Sequence, residues 1–382
     1  MTSLDIALPA SRSASRYYAN VVHVWRHSEW IGFAATPFQH PEWLDAFYAA
    51  AAADTSVEPL LVTVCNELGE VALRLPLIKR RKGNLSVIEF ADLGMTDYNA
   101  PLLGSAAPQS MAEARKIWRV LRRALPKADL ISLQKMPRQL NGQSNPLAML
   151  LAATPSGANG NPLSIGDDWE AFRFSRERTY RKELERSWRV FQRNPQAQFR
   201  AISDPVEALR VLQVMEAQQR ERMQDVGATY QLDQPVNTEF YRRLVQDNVA
   251  NGYAVLTALT VGDEVVAALL GVRERNTYVM IRICHAGAAW SNCSPGRLII
   301  ERTMAHLHTA GCRIFDFSVG NYAYKRRFGV TRLPLVDATR ALSWRGLVPL
   351  LRTRLAALTR QYPHLHARIR KALGKPASRE EV

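Results

Sequence analysis

The sequence predicts a mixed α/β fold, α+β in layout, in which one arrangement of strands and helices occurs twice in tandem. Leu60 to Leu77 (LLVTVCNELGEVALRLPL) and Ala254 to Gly271 (AVLTALTVGDEVVAALLG) are both alternating apolar runs that turn on a Gly and an acid, as hairpins do. Each is followed by strand, helix and strand, so two copies of one unit account for the order. Thr154 to Pro162 (TPSGANGNP), between them, has the composition of a linker. The expected division is a poorly ordered 1–19, a first unit at 20–153, a linker with a charged connecting helix at 154–192, a second unit at 193–342 and a basic helical tail at 343–382. Each unit is expected to be a mixed, mostly antiparallel sheet flanked by helices.

Taken in order, Asn20 to Trp25 reads as a short strand, and Phe38 to Ala52 has the apolar spacing and alanine content of a helix. The hairpin Leu60–Cys65 and Val71–Ile78 follows, then a strand at Ser86–Ala91 and a loop holding Asp97, Tyr98 and Asn99. Ser110 to Leu125 is a helix with Ile117 and Leu121 on one face, closed by Pro126, and Ala128 to Gln134 is the strand after it. Leu147 to Ala153 is expected as one more strand, and Asp167 to Gln192 as one long charged helix. After Pro195 the order restarts: strand Gln198–Ile202, helices Pro205–Gln224 and Thr238–Asn251, and the hairpin Tyr253–Thr260 with Val265–Val272.

The central stretch is Thr277 to Phe328. Thr277–His285 is rich in β-branched and aromatic residues and reads as a strand. Ser294-Pro295-Gly296 then opens a helix, with Ser as N-cap and Pro in the first turn, and Ile300, Met304 and Leu307 recur at helical spacing until Gly311. A strand, Cys312–Ser318, follows at once, and Leu333–Leu342 is expected to close the unit. A helix start offers unpaired N–H groups and a partial positive charge, and glycine lets a phosphate approach. A plain helix start is the simpler reading of those three residues alone. The first unit has Pro108-Gln109-Ser110 where the second has Ser294-Pro295-Gly296, and Ser132 falls where Asp316 does, so the second unit is the one expected to hold a phosphorylated ligand.

Composition bounds the function. At 382 residues, with 47% apolar and 22% charged residues, the chain is a globular protein with substantial cores. No run reaches the ~18 uncharged apolar residues of a membrane span, and the first residues lack the apolar core of a signal peptide. A cytoplasmic protein is expected, peripheral to the inner membrane if the tail engages lipid. Cys65, Cys284, Cys293 and Cys312 show no zinc spacing, and no metal is expected. The net charge of +15 is uneven: from Arg340 to Val382 there are ten Arg or Lys and two Glu. Such a surface suits anionic partners, although the tail, with Leu347, Leu350, Leu351, Leu355 and Leu358 among arginines, is expected to dock on its own protein. The basic cluster between Arg173 and Arg193 is offset by Glu170, Glu177, Glu183 and Glu185 and reads as a solvated face.

The order strand, two helices, three antiparallel strands, helix, strand resembles the acyltransferase fold of the GNAT superfamily. Ser294-Pro295-Gly296, Gly311, Asp316-Phe317 and Gly320 through Tyr324-Lys325 resemble more specifically the cellulose-biosynthesis acetyltransferases of the CelD type, themselves similar to the Fem-type peptidyltransferases, which carry two such folds in tandem. The resemblance covers 198–342 well and 20–153 weakly. It implies an acetyl-CoA or other acyl-CoA donor. The pyrophosphate would meet Ser294, Pro295, Gly296, Arg297 and Leu298, with Lys325 near the phosphates, and the pantetheine arm would lie along the strand ending at His285. The usual GNAT turn has more glycine and a further basic residue.

Acyl transfer needs a base for the acceptor, polarisation of the thioester carbonyl and an acid for the departing thiolate. Asp316, set among Ile314, Phe315 and Phe317, is the first choice as base or acceptor-orienting group; a structural carboxylate that caps the next loop or pairs with Lys325 explains it equally. His285 ends the strand, where a histidine side chain suits a base at neutral pH, and a satisfied polar residue is the plainer alternative. By the resemblance, Tyr322 or Tyr324 would protonate the thiolate; both also read as packing aromatics. Asp97, Tyr98 and Asn99 are expected to reach an acceptor across the cleft between units. The expected function is therefore an N- or O-acyltransferase acting on a sugar, a polysaccharide precursor or a small amine. The alternatives are a Fem-like aminoacyl-tRNA-dependent transferase and a non-catalytic basic module at a membrane or nucleic acid, with nucleic acid the less expected partner.

Overall fold

The computed structural model describes residues 16–351, apart from 31, 34, 151, 152, 226, 228, 229 and 321. The elements are, in order, β1 (Tyr17–Val22), α1 (Pro41–Ala51), β2 (Val57–Asn66), β3 (Val71–Lys82), β4 (Leu85–Phe90), the two-residue β5 (Leu102–Leu103), α2 (Met111–Ala124) and β6 (Leu130–Pro137). A small hairpin, β7 (Gln139–Leu140) and β8 (Gln143–Ser144), precedes β9 (Ala153–Gly160), β10 (Pro162–Ser164), α3 (Trp169–Ser175) and α4 (Arg178–Phe191). The second half holds β11 (Ala197–Ile202), α5 (Pro205–Asp225), α6 (Pro235–Asn248), β12 (Ala254–Val261), β13 (Glu264–Glu274), β14 (Thr277–His285), α7 (Pro295–Thr309), β15 (Ile314–Asp316), α8 (Ala323–Arg327) and β16 (Leu333–Ala341).

Two sheets organise these elements. The first runs β1-β2-β3-β4-β6-β16-β9, with β5 also on β3, and the second β10-β15-β14-β13-β12-β11. Both hairpins form as their alternation predicts. At the first turn the Asn66 side chain accepts from the Leu68 and Glu70 amides at 3.0 Å each, and Gly69 takes φ +78. Each sheet also contains one three-residue parallel pairing. Val87, Ile88 and Glu89 of β4 face Leu130, Ile131 and Ser132 of β6; Thr277, Tyr278 and Val279 of β14 face Ile314, Phe315 and Asp316 of β15. Ser132 and Asp316 thus occupy the same rung of equivalent ladders, which is the correspondence the tandem repeat predicts.

Several expectations change. Thr154 to Pro162 is not a linker: β9 hydrogen-bonds to β16 at the edge of the first sheet, and after Asn161 alone β10 joins β15 in the second. Its polar composition fits because β9 needs only one partner and packs few side chains. The last strand, β16, expected to close the second unit, lies in the first sheet, antiparallel to β6. The expected charged helix is two helices, because Arg176 is extended (φ −77, ψ 153). Its guanidinium donates to the Phe328 carbonyl at 2.8 Å and lies 4.7 Å from the Phe172 ring centroid, so the bend is held by contacts the local sequence does not contain. The first strand begins at Tyr17, inside the stretch expected to be unordered, because Tyr17 to Val22 pair with Asn66 to Leu61. Leu147 and Ala148 are buried in a turn built on the Asn145 side chain, and the strand after them begins at Ala153. The basic helical tail expected at 343–382 lies outside the described residues beyond Leu351, as do residues 1–15.

The two halves share a core. Trp43 and Phe47 of α1 and Phe240 and Leu244 of α6 are fully buried in one cluster that also takes in Leu270 and Val279. Trp43 meets Phe240 edge-on at 4.7 Å. Burying an aromatic side chain of this kind contributes about 1.5–3 kcal/mol, so the halves stabilise one another as a domain core does.

Candidate active site

The site begins where β14 and β15 part. Their parallel ladder stops at Val279 and Asp316, while β14 runs on to His285, so its far half has no strand partner on the β15 side. The ladder from β13 to β14 shifts between Leu270 and Gly271, opposite Ile281, a bulge that re-aims the β14 backbone at that point. The result is a V-shaped gap with its apex at Val279–Asp316 and its mouth at His285. Gln219 of α5 reaches the open edge and donates its side-chain amide to the Ile283 carbonyl at 2.9 Å. That leaves the neighbouring edge groups of β14 to whatever enters the gap.

The mouth is the front of α7, and it differs from expectation. Ser294 is left-handed (φ 49, ψ 59) and its hydroxyl caps no amide; it accepts from Arg297 Nη2 at 2.9 Å instead. The Arg297 and Leu298 amides both return to the Ser294 carbonyl, at 3.0 and 3.1 Å, and Pro295 has no N–H. Gly296 is then the one helix-front amide without a backbone partner among the described residues. An added Cβ there would lie 3.1 Å from His285 Cδ2, so the imidazole sits against this glycine. Arg297 Nη1 donates to Glu183 of α4 at 2.7 Å, which occupies the guanidinium expected to bind phosphate. Pro295 and Leu298 are buried. What this front offers an anion is therefore the Gly296 amide with His285 beside it. In the first unit the equivalent front is closed: Ser110 Oγ accepts from the Glu113 amide and Glu113 reaches back to the Gln109 amide.

The apex is built from both halves. Tyr98 donates its phenol to both Asp316 oxygens at 2.9 Å, and the Ser318 amide donates to Oδ1 at 2.7 Å. Burial pushes the Asp316 carboxyl up to about 6, against those hydrogen bonds, and pushes the Tyr98 phenol well above its ordinary value. Asp97 accepts from the Ser318 hydroxyl and is half-buried; desolvation raises its pKa, while Lys135 and Lys325 oppose the rise. Ser318 is left-handed at φ +60, and the loop it bends is clamped by Asn161 Nδ2, which donates to the Ser318 and Gly320 carbonyls at 2.6 and 2.9 Å.

Two expected ligand-binding side chains lie elsewhere. Lys325 does not face a phosphate: its ammonium is buried and donates to the Phe317 and Val319 carbonyls at 2.7 Å each. Burial lowers its pKa to about 8, with Asp97 and Asp316 pulling the other way. Asn99 does not reach the cleft, since its amide donates to Asp92 Oδ2 at 2.8 Å and to the Gln134 carbonyl at 3.2 Å. His285 and Asp316 are also separated. Six strand residues at ~3.3 Å each put about 20 Å between the mouth and the apex, so the two cannot serve one acceptor.

Tyr324 is half-buried beside the Phe317 ring (6.5 Å), and burial lifts its phenol to about 12. Tyr322 is 59% exposed and stacks on Tyr324 at 6.1 Å. Cys284, Cys293 and Cys312 are buried thiols with pKa values raised by desolvation, about 12 for Cys284. Among the described residues no group of three or more His, Cys, Asp or Glu is placed to hold a metal. The sequence reading passed over Gln219, Tyr230 and Arg282. Arg282, buried on β14, donates to Gln219 Oε1 at 2.6 Å and to the Tyr230 phenol at 2.7 Å, and lies 3.5 Å from Glu216. An arginine inside the apolar run TYVMIRICH was the available signal, because a charge there needs buried partners.

Residues 178–326, from α4 to α8, match the family described as "Acetyltransferase (GNAT) domain". Among solved structures the chain is similar to that of FemX, with a TM-score of 0.58 at 10% identity, covering 83% of this chain and 96% of that one. It is also similar to L-PGS from Bacillus licheniformis, with a TM-score of 0.50 at 12% identity, covering 85% and 98%. At these identities the likeness speaks for the fold. No curated protein matches the sequence. The chain has a mixed α/β fold with GNAT-like sheets and carries a GNAT acyltransferase domain, which makes it an enzyme of the acyltransferase class.

Proposed function

We propose that the enzyme transfers an acetyl or other acyl group from acyl-CoA to an amine or hydroxyl of a sugar, a polysaccharide precursor or a small amine. The observation that carries this reading is the parting of β14 and β15 after three paired residues, with the front of α7 at the open end. A donor phosphate at the Gly296 amide and His285 puts the pantetheine arm along the unpaired edge of β14, and the thioester near Ile281 at the bulge. A saccharide acceptor is supported by the resemblance of Asp316-Phe317, Gly320 and Tyr324-Lys325 to the CelD-type acetyltransferases.

Roles follow from access. With its acceptor positions taken by Tyr98 and Ser318, Asp316 anchors the loop at the apex. Asp97, from the first half, is the half-buried carboxylate that accepts from Ser318 of that loop; its pKa is raised, and it is the group we assign to receive the acceptor's proton. The acceptor nitrogen or oxygen bonds to the acyl carbon as the C–S bond breaks, and the thiolate takes a proton from Tyr324, whose phenol stays protonated at neutral pH. Isothermal titration calorimetry with acetyl-CoA tests the donor: binding is expected, and Gly296→Val should remove it by driving a side chain into His285. No heat with acetyl-CoA would defeat the reading.

The likeness to FemX over most of both chains, with the net charge of +15, favours a second reading in which the donor is an aminoacyl-tRNA. It predicts RNA copurifying with the protein and lost steeply as salt rises. RNA-free protein with no tRNA retention on a filter would remove it.

A further inference from the structure

The surface farthest from a purely catalytic explanation lies where α2 and the end of β16 meet. From Met111 to Lys127 there are six Lys or Arg and one Glu, and Arg115, Arg119, Arg122, Arg123 and Lys127 are exposed. The chain leaving β16 is fastened to the foot of this helix. The Leu342 and Ser343 amides donate to the Asp129 carbonyl, the Ser343 hydroxyl donates to Asp129 Oδ1 at 2.6 Å, and Arg345 donates to the Asn84 carbonyl at 2.6 Å. Gly346 packs so closely on Asp129 that an added Cβ would lie 2.0 Å from its carbonyl oxygen. Leu350 turns inward onto Val87 and Leu130.

Four large apolar side chains on the same short segment turn outward: Trp344 is 79% exposed, Leu347 50%, Val348 57% and Leu351 57%. Beside them is an open depression of about 400 Å³ lined by Arg122, Lys127 and Ser343. A fixed ridge with a tryptophan and aliphatic side chains, bordered by cations, matches the two layers of an anionic bilayer surface. The apolar tips enter the acyl boundary and the cations meet phosphate headgroups. Nucleic acid would use the cations but give the aliphatic ridge nothing to bury.

We propose that this face, the Trp344–Leu351 ridge with Arg122 and Lys127, docks the enzyme on anionic lipid. It places an acyltransferase beside a membrane with no helix among the described residues long and apolar enough to cross one. The proposal does not rest on the donor or acceptor assignment.

The test is co-sedimentation of the full-length protein with vesicles of phosphatidylcholine alone or with phosphatidylglycerol. Binding to the anionic vesicles only is expected, weakened when salt is raised several-fold above ~0.1 M. Trp344→Ser with Leu347→Ser, and separately Arg122→Glu with Lys127→Glu, should each weaken binding by about tenfold or more. Unchanged melting temperatures and unchanged acetyl-CoA binding would show that both double variants fold. Equal binding by the variants overturns the proposal, as does failure to bind anionic vesicles, the result expected if the chain beyond Leu351 covers the ridge. Retention of tRNA without vesicle binding overturns it in favour of nucleic acid.

Discussion

Asp316 decides how the apex behaves with pH. Its carboxyl titrates at about 6 in the folded protein against about 3.8 in an unfolded chain, so between those values the folded state holds a proton that the unfolded state has released. The stability this contributes is complete below pH ~4 and is lost as pH rises through about 6. The difference between the two states is worth about 3 kcal/mol. Lys325 acts at the other end: its pKa falls from 10.5 to about 8, so stability rises with pH across that window, and because burial raises the Asp97 carboxyl as well, the Asp316 contribution is read as the difference between wild type and Asp316→Asn. Melting temperatures of the wild type should fall between pH 4 and 6, and Asp316→Asn should flatten that fall. Tyr98→Phe, which removes the phenol from both carboxylate oxygens, should move its upper end to higher pH. An unchanged pH profile in Tyr98→Phe would show that the hydrogen bond across the halves does not hold the carboxylate. Asp316 was legible in the sequence as a carboxylate among aromatics. That its partner would be Tyr98, 218 residues away, was not, because no local pattern encodes a contact between a loop of the first half and a strand of the second.

Helices and strands were legible where their signals are local. The hairpin turns, the helix from Ser110 and the Pro-Gly start of α7 follow from residues within one turn of each other, although Ser294 does not cap that helix as expected. The misread elements depend on distant partners: β9 is a strand because β16 lies beside it, and α3 and α4 are separate because Arg176 is drawn to Phe328. One glycine carries an element-scale prediction. At Gly160, the last residue of β9, an added Cβ would lie 2.3 Å from the Tyr98 phenol oxygen, so the strand must be bare there for Tyr98 to reach Asp316. Gly160→Ala should destabilise the fold by about 1–3 kcal/mol in chemical denaturation and lower transferase activity, whereas Gly142→Ala, with open space but strained by its φ of +81, should cost stability and leave activity unchanged. Equal activity in the two variants would mean the Tyr98 contact is dispensable.

At the scale of the whole molecule the halves are one folding problem. β10 comes from ahead of residue 193 and completes the second sheet, β16 leaves that half to join the first, and Trp43 packs on Phe240 in a common core. A fragment spanning 193–382 should lack a cooperative thermal transition by circular dichroism, and Trp43→Ala in the full chain should cost about 3–5 kcal/mol. A fragment melting sharply by itself would contradict the shared core. The repeat and its internal symmetry were legible because each copy carries its own hairpin and helix; the exchange of strands was not, because it leaves no periodic trace. With the acyl donor in the V between β14 and β15, amide hydrogen exchange read by mass spectrometry should show acetyl-CoA protecting Met280 to His285, Gly296 and Phe317 to Val319. Protection confined to other segments, such as the cleft lined by His40, Tyr253 and Glu274, or none at all, would contradict that placement.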